Sequence, residues 1–151
     1  DEKLPLPHKG IAFTIGYEGR DLDQFLKILK DEGIEVLVDV RKDAYSNRDK
    51  SFNEGNLSRT AANAGMKYIH IPELGVDYAQ RQELKSTHDY EGYFKQYSDY
   101  LEKNPDIVSF LSDLSKNSTI CLMCYEKDFR RCHRMVLADK LEKKGIVFRH
   151  L

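Results

Sequence analysis

The feature that most constrains this chain is a hydrophobic period that switches repeatedly between strand-like and helix-like spacing. Residues 11–15, Ile-Ala-Phe-Thr-Ile, form a short β-branched and aromatic run. Leu22, Phe25, Leu26 and Leu29 then recur at helical spacing, and Gly33 stops that helix. Residues 35–40, Glu-Val-Leu-Val-Asp-Val, read as a strand covered on both faces, as in a parallel sheet. Residues 57–64 look helical and end at Gly65. Residues 67–71 make a third strand, closed by Pro72, with Tyr68 and His70 on one face and Ile69 and Ile71 on the other. Tyr90, Tyr93, Phe94, Tyr97, Tyr100 and Leu101 form a helical stripe expected to pack on the sheet. Asn104-Pro105 resets the chain and opens a helix carrying Ile107, Leu111 and Leu114. Residues 120–123 are another apolar run. Residues 132–141 follow as a helix with Val136, Leu137, Ala138 and Leu141 on its buried face, Gly145 ends it, and residues 146–151 give a last strand. The alternation predicts one three-layer α/β domain over residues 1–151, with a mostly parallel sheet of about five strands and helices on both faces. Residues 1–9, polar with two prolines, read as a loose lead-in.

Composition fits that expectation. A chain of 151 residues can bury a real core, and 40% hydrophobic with 32% charged residues suits a folded protein rather than a disordered one. The net charge of −1 excludes a global pull toward nucleic acid, so any such binding needs a local basic patch. Three cysteines are no disulfide scaffold and fit a reducing, cytoplasmic setting. No segment reaches transmembrane length and the N-terminus lacks a signal-peptide core, so no membrane partner is expected.

Ligand sites in parallel sheets lie beyond the carboxyl ends of the strands. Tyr17, Asp39, Arg41, His70, Cys124 and Glu126 all fall at such ends. Residues 119–141 concentrate the chemistry: they hold Cys121, Cys124 and Cys132, and Lys127, Arg130, Arg131 and Arg134 fall within eight residues. Cys132, His133 and Arg134 sit in or near a first helical turn, where free N–H groups and the helix dipole favour anions and thiolates, with Asp128 as a candidate cap. The loop 42–56 mixes Lys42, Arg48 and Lys50 with Tyr45 and Phe52. That is what a nucleotide or single-stranded nucleic acid needs, and also what solvent-facing loops contain.

Four chemistries compete for the central stretch, against the plain alternative of a solvated loop over two buried cysteines. Cys124 and Arg130 have the spacing of cysteine phosphatases and, loosely, of rhodaneses. But no glycine lies between them, and Glu126 and Asp128 would repel a phosphate. A metal site from Cys124, Cys132, His133 and Cys121 is disfavoured, because Cys121 and Cys124 point to opposite faces of a strand. Cys124 and Cys132 form a redox pair if strand end and helix start lie close enough. Arg41, Arg130, Arg131 and Arg134 at the helix start could hold an anion, with Glu126 and His133 as acid–base groups.

Several motifs resemble one family throughout the chain. These are Thr14-Ile15-Gly16-Tyr17-Glu18-Gly19-Arg20; Asp39-Val40-Arg41 followed by Ser46, Arg48 and Phe52; Tyr68-Ile69-His70-Ile71-Pro72-Glu73-Leu74-Gly75; and Cys124-Tyr125-Glu126-Lys127-Asp128 followed by Cys132-His133-Arg134. They are similar, in this order, to the motifs of the family catalogued as domain of unknown function 488. The chain departs from that pattern at Ala44 and Phe129, where relatives carry proline, and in one residue inserted near Asn47. The family pattern holds no arginine at position 130, which weakens the phosphatase reading. The resemblance implies the fold and the site residues without supplying a reaction.

The sequence therefore predicts binding of an anionic small molecule, a nucleotide, or nucleic acid. Tyr17, Arg41, Arg48, His70, Cys132 and Arg134 are expected to contact it, with Cys124, Glu126 and His133 as the candidate catalytic set. The alternatives are a cysteine-dependent group-transfer enzyme and a non-catalytic interaction module. No metal or cofactor is expected.

Overall fold

The computed structural model describes residues 10–151, so the lead-in expected over residues 1–9 lies outside the described residues. Five strands, β1 (Ile11–Gly16), β2 (Val36–Asp39), β3 (Lys67–His70), β4 (Ile120–Cys124) and β5 (Val147–His150), form one sheet in the order β3-β2-β4-β1-β5. Every pairing is parallel. Among the described residues there are six α-helices: α1 (Leu22–Asp31), α2 (Glu54–Asn63), α3 (Tyr78–Thr87), α4 (Tyr90–Lys103), α5 (Pro105–Asn117) and α6 (Arg134–Glu142). The α/β reading from the sequence holds.

The all-apolar runs become the inner strands, because both faces of β2 and β4 are covered and all their residues are buried. On one face, Phe25 and Leu29 of α1 and Leu57 and Ala61 of α2 pack against Phe13, Ile15, Leu37, Cys121 and Met123. On the other, Tyr97 and Leu101 of α4, Leu111 of α5 and Leu137 and Leu141 of α6 pack against Val36, Val38, Ile120 and Leu122. Cys121 and Cys124 thus belong to opposite faces, as the strand period requires.

The order of strands positions the site. The helices following β1 and β2 lie on one face, and the helix following β4 lies on the other, with β4 between β1 and β2. The chain therefore splits at the carboxyl end of β4, where such sheets open a crevice. Register aligns that edge: Gly16 pairs with Cys124, and Asp39 pairs with both Met123 and His70.

One helix was not anticipated, and two local expectations need refinement. The polar helix α3 carries no buried residue and therefore shows no apolar stripe; Asp77 and Gln80 start it by capping each other's backbone N–H groups. The helix expected from Cys132 begins at Arg134, with His133 at its N-cap position, and Asp128 instead caps a 3₁₀ turn over Phe129–Arg131. The aromatic stripe of α4 divides. Tyr97 is buried and donates to the Leu74 carbonyl at 2.6 Å, and Tyr93 packs against the same core while also bordering a cavity, whereas Tyr90 borders the cavity alone.

Candidate functional site

Two glycines let the loops beyond the sheet close on one another. A Cβ at Gly16 would lie 1.7 Å from the Glu126 carbonyl oxygen, and one at Gly75 would lie 2.0 Å from the Lys42 nitrogen. The turn after β1 runs along the segment after β4: Tyr17 N–H donates to the Cys124 carbonyl (3.1 Å), Glu18 N–H to the Tyr125 carbonyl (2.9 Å), and Lys127 N–H to Glu18 Oε1 (2.9 Å). The 3₁₀ turn Pro72–Leu74 and Gly75 brace the segment after β2. A cavity of about 530 Å³ lies beyond these loops, closed on one side by α3.

A buried arginine stands on each side of the β4 end. Arg41 is clamped by Asp39, donating Nε to Oδ1 (2.8 Å) and Nη2 to Oδ2 (2.6 Å). Its Nη2 also reaches the Phe52 carbonyl (2.7 Å) and its Nη1 the Tyr17 hydroxyl (3.3 Å). Tyr68 donates its hydroxyl to Asp39 Oδ2, and Tyr17 stacks on Phe52 with centroids 4.5 Å apart. Burial opposes the Arg41 charge, but Asp39 more than offsets it and holds the guanidinium protonated. Asp39 is fully buried and Arg41 nearly so, so their charges are spent on each other.

Arg134 is fully buried and, among the described residues, has no carboxylate within ion-pair distance. Its Nη1 donates to Cys124 Sγ (2.8 Å) and to the Glu126 carbonyl (2.6 Å), its Nη2 to the Lys127 carbonyl (3.3 Å), and its Nε has no partner. Its backbone N–H meets Cys132 Sγ at 3.5 Å. Arg134 holds both sulfurs, Cys124 through Nη1 and Cys132 through its backbone N–H, and both border the cavity. Burial, together with the neighbouring Cys132 thiol, pushes the Cys124 thiol well above its ordinary range. Burial also works against ionisation of Cys132, but the neighbouring Cys124 thiol and the Arg134 charge and backbone N–H bring it below the usual thiol value. His133 Nε2 faces the Val40 carbonyl (3.0 Å), so as a neutral ring it donates there. Its Nδ1 is then an acceptor, 3.6 Å from Cys132 Sγ. Burial lowers the His133 pKa and favours that neutral form. Glu126, half-buried, is shifted upward by burial and then by neighbouring Glu18.

Of the residues expected from the sequence, Tyr17, Arg41, Arg48, Cys124, Glu126, Cys132 and His133 line the cavity. Arg48 also donates to the Tyr125 hydroxyl at 3.2 Å. His70 does not line it: its Nε2 meets the Arg41 carbonyl (2.7 Å), with Nδ1 3.6 Å from Glu54. Arg134 sits behind the two sulfurs, and Arg130 turns outward to pair with Asp128. The sequence reading missed Arg81 and Lys85 of α3; it named Arg131 with Arg41, Arg130 and Arg134 as a candidate anion ligand, and Lys42 as part of the basic and aromatic loop. Lys42, Arg48, Arg81, Lys85 and Arg131 make five exposed cations on the cavity, facing Asp43 and Glu126. The detectable signal for α3 was the Asp77–Gln80 pair at capping-box spacing. Among the described residues, no group of three or more His, Cys, Asp and Glu side chains is placed to hold a metal ion, and no helix is long and apolar enough to cross a membrane.

The chain belongs to the family described as domain of unknown function DUF488, which matches residues 21–141 and so covers all of the site except the turn after β1. Comparison with curated proteins and with solved structures finds no match.

Proposed function

We propose that this domain is a cysteine-dependent group-transfer enzyme acting on an anionic substrate, with Cys132 as its nucleophile. The observation that carries the reading is the environment of Arg134. A buried guanidinium without a counter-ion costs several kcal/mol. The groups next to it that can become anions are two thiols. Loss of one proton from this pair leaves a single negative charge shared by two sulfurs beside the cavity. Cys132 is the attacking sulfur in this reading, because it receives the Arg134 backbone N–H and lies 3.6 Å from His133 Nδ1, which can take its proton. The roles read from the sequence thus exchange, with Cys132 the attacking group and Cys124 its neighbour.

The other groups fit a thiolate mechanism. His133 Nδ1 accepts the Cys132 proton when the thiol ionises and returns one to a leaving group. Glu126, raised toward neutrality, is a second proton carrier. The five exposed cations favour an anionic substrate, and Tyr17, Tyr45, Tyr78, Tyr90, Tyr93 and Tyr125 offer flat surfaces for a ring such as a nucleobase. A binding module without chemistry would use the same cations and rings, but it gives no reason for a buried arginine facing two thiols.

The test is iodoacetamide labelling against pH, read for each cysteine by mass spectrometry. Cys132 is expected to label with a midpoint below the ~8.5 of a free thiol, and Cys121, buried on the opposite face with its pKa pushed up, to label last. A Cys132 midpoint at or above that value removes the enzyme reading and leaves the cavity as a binding site.

A further inference from the structure

We infer that the electrophile attacked by Cys132 is an oxidised sulfur, of the disulfide class, and that Cys124 is the resolving thiol that removes the resulting adduct. This rests on the proposed nucleophile and adds to it a substrate class and a second chemical step.

The argument begins with what one thiolate leaves unexplained. Acyl or phosphoryl transfer through cysteine needs one sulfur, an oxyanion site and a base. Here a second sulfur is held by the same arginine as the first and borders the same cavity. It also has its own guanidinium donor, Arg134 Nη1 at 2.8 Å. The chain's remaining cysteine, Cys121, lies on the other face of the sheet, in a separate core. Cys124 lies at the end of a fully buried strand, and Cys132 follows the 3₁₀ turn that leads back to it, so eight residues of chain return one sulfur to the other.

Arg134 sets the order of events. While Cys132 is a thiolate, Cys124 keeps its proton. Once the Cys132 sulfur is capped as a mixed disulfide it is no longer an anion, and among the Arg134 contacts Cys124 alone can replace it. Derivatising the first sulfur therefore ionises the second.

The steps balance as follows. The Cys132 thiolate attacks one sulfur of R–S–S–R. A Cys132–S–S–R bond forms, the original S–S bond breaks, and one RS⁻ leaves. Cys124 then releases its proton through the cavity to water, and its thiolate attacks Cys132 Sγ. The Cys124–Cys132 disulfide forms and a second RS⁻ departs. The two protein thiols are oxidised by two electrons, the substrate disulfide is reduced to two thiolates, and an added dithiol closes the cycle by reducing the protein.

The probe is dithiobis-nitrobenzoate, a dianionic aromatic disulfide suited to a cavity of cations and tyrosines, added below the protein concentration. The wild-type chain is expected to release both nitrothiolate halves of each reagent molecule consumed. Its mass should fall by two hydrogens, and the peptide containing the Cys124–Cys132 link should be recovered. Cys124→Ser should release one half and retain the other on Cys132. The wild-type measurement is decisive even if that variant folds poorly. Release of one half with a persistent Cys132 adduct overturns this inference while leaving Cys132 as nucleophile. Release of no nitrothiolate, with Cys132 left as a free thiol in both proteins, sinks the proposed function with it.

Discussion

The two arginine clusters at the site are built alike and used differently. Both place a guanidinium in the interior at a strand end, and both tie it to loop carbonyls: Phe52 for Arg41, Glu126 and Lys127 for Arg134. The difference is the counter-ion. Asp39 is a carboxylate that meets the guanidinium with two hydrogen bonds, so Arg41 has a bidentate partner and the cluster is closed. Cys124 and Cys132 become anions only by giving up a proton that thiols normally keep, so on the proposed reading Arg134 serves to create a nucleophile. On that reading a buried arginine opposite a carboxylate is architecture, and one opposite thiols is a source of reactivity.

The largest expected effect falls on the closed cluster. Arg41→Ala strands a fully buried Asp39 carboxylate and should cost about 3–5 kcal/mol of unfolding free energy in urea titrations. The double variant Asp39→Leu, Arg41→Met should recover part of that loss, since no buried charge remains. An Arg41→Ala protein as stable as wild type would mean that the pair is not buried as described.

Arg134→Met should be milder for stability and stronger for chemistry. The Glu126 and Lys127 carbonyls lose donors, at about 1–3 kcal/mol, but the thiols revert to neutral groups that tolerate burial. The Cys132 labelling midpoint should move up past that of the wild type. An unchanged midpoint would assign the thiolate to the start of α6 rather than to the guanidinium.

The pH dependence separates the clusters next. The folded-state pKa of Cys132 is depressed, so the unfolded chain binds the extra proton. The stability this contributes is present above the unfolded value of ~8.5 and is lost as pH falls through the folded pKa. Tyr68 has the opposite sign: burial and the Asp39 charge raise its pKa, so its contribution is full below ~10 and is lost as pH rises beyond that. Denaturant titrations of wild type against Cys132→Ser should therefore show an advantage that grows from neutral pH toward 8.5. Wild type against Tyr68→Phe should show one that shrinks above pH 10. Parallel curves in the first pair would remove the thiolate.

The sheet was legible because covered parallel strands leave long apolar runs, and the alternation of periods places their carboxyl ends on one edge. The pairing of Asp39 with Arg41 could be read from two opposite charges two residues apart at a strand end. Arg134 was legible as a site residue but not as a buried one, since arginine at a helix start ordinarily faces water. The likeness of Cys124 and Cys132 concealed their different surroundings, which depend on where one backbone N–H and one guanidinium point. Helix α3 escaped because it buries nothing, and its Arg81 and Lys85 read as surface charge.

The smallest effect concerns those exposed cations, which differ from both buried arginines in having water on one side. Arg81 and Arg131 border the cavity from different elements, α3 and the turn before α6, and the structure gives neither a carboxylate partner among the described residues. Replacing each with Ala should leave the urea midpoint unchanged, because an exposed charge contributes little to folding. Binding of a nucleoside monophosphate, followed by calorimetry, should weaken by up to about tenfold per charge, on the order of 1 kcal/mol. The wild-type affinity should fall as salt is raised, and the double variant should show a shallower salt dependence, since fewer charges remain to be screened. Equal binding by wild type and double variant, at low and high salt alike, would show that these cations only keep the rim solvated, and the recognition of an anionic substrate would then have to be sought elsewhere on the cavity wall.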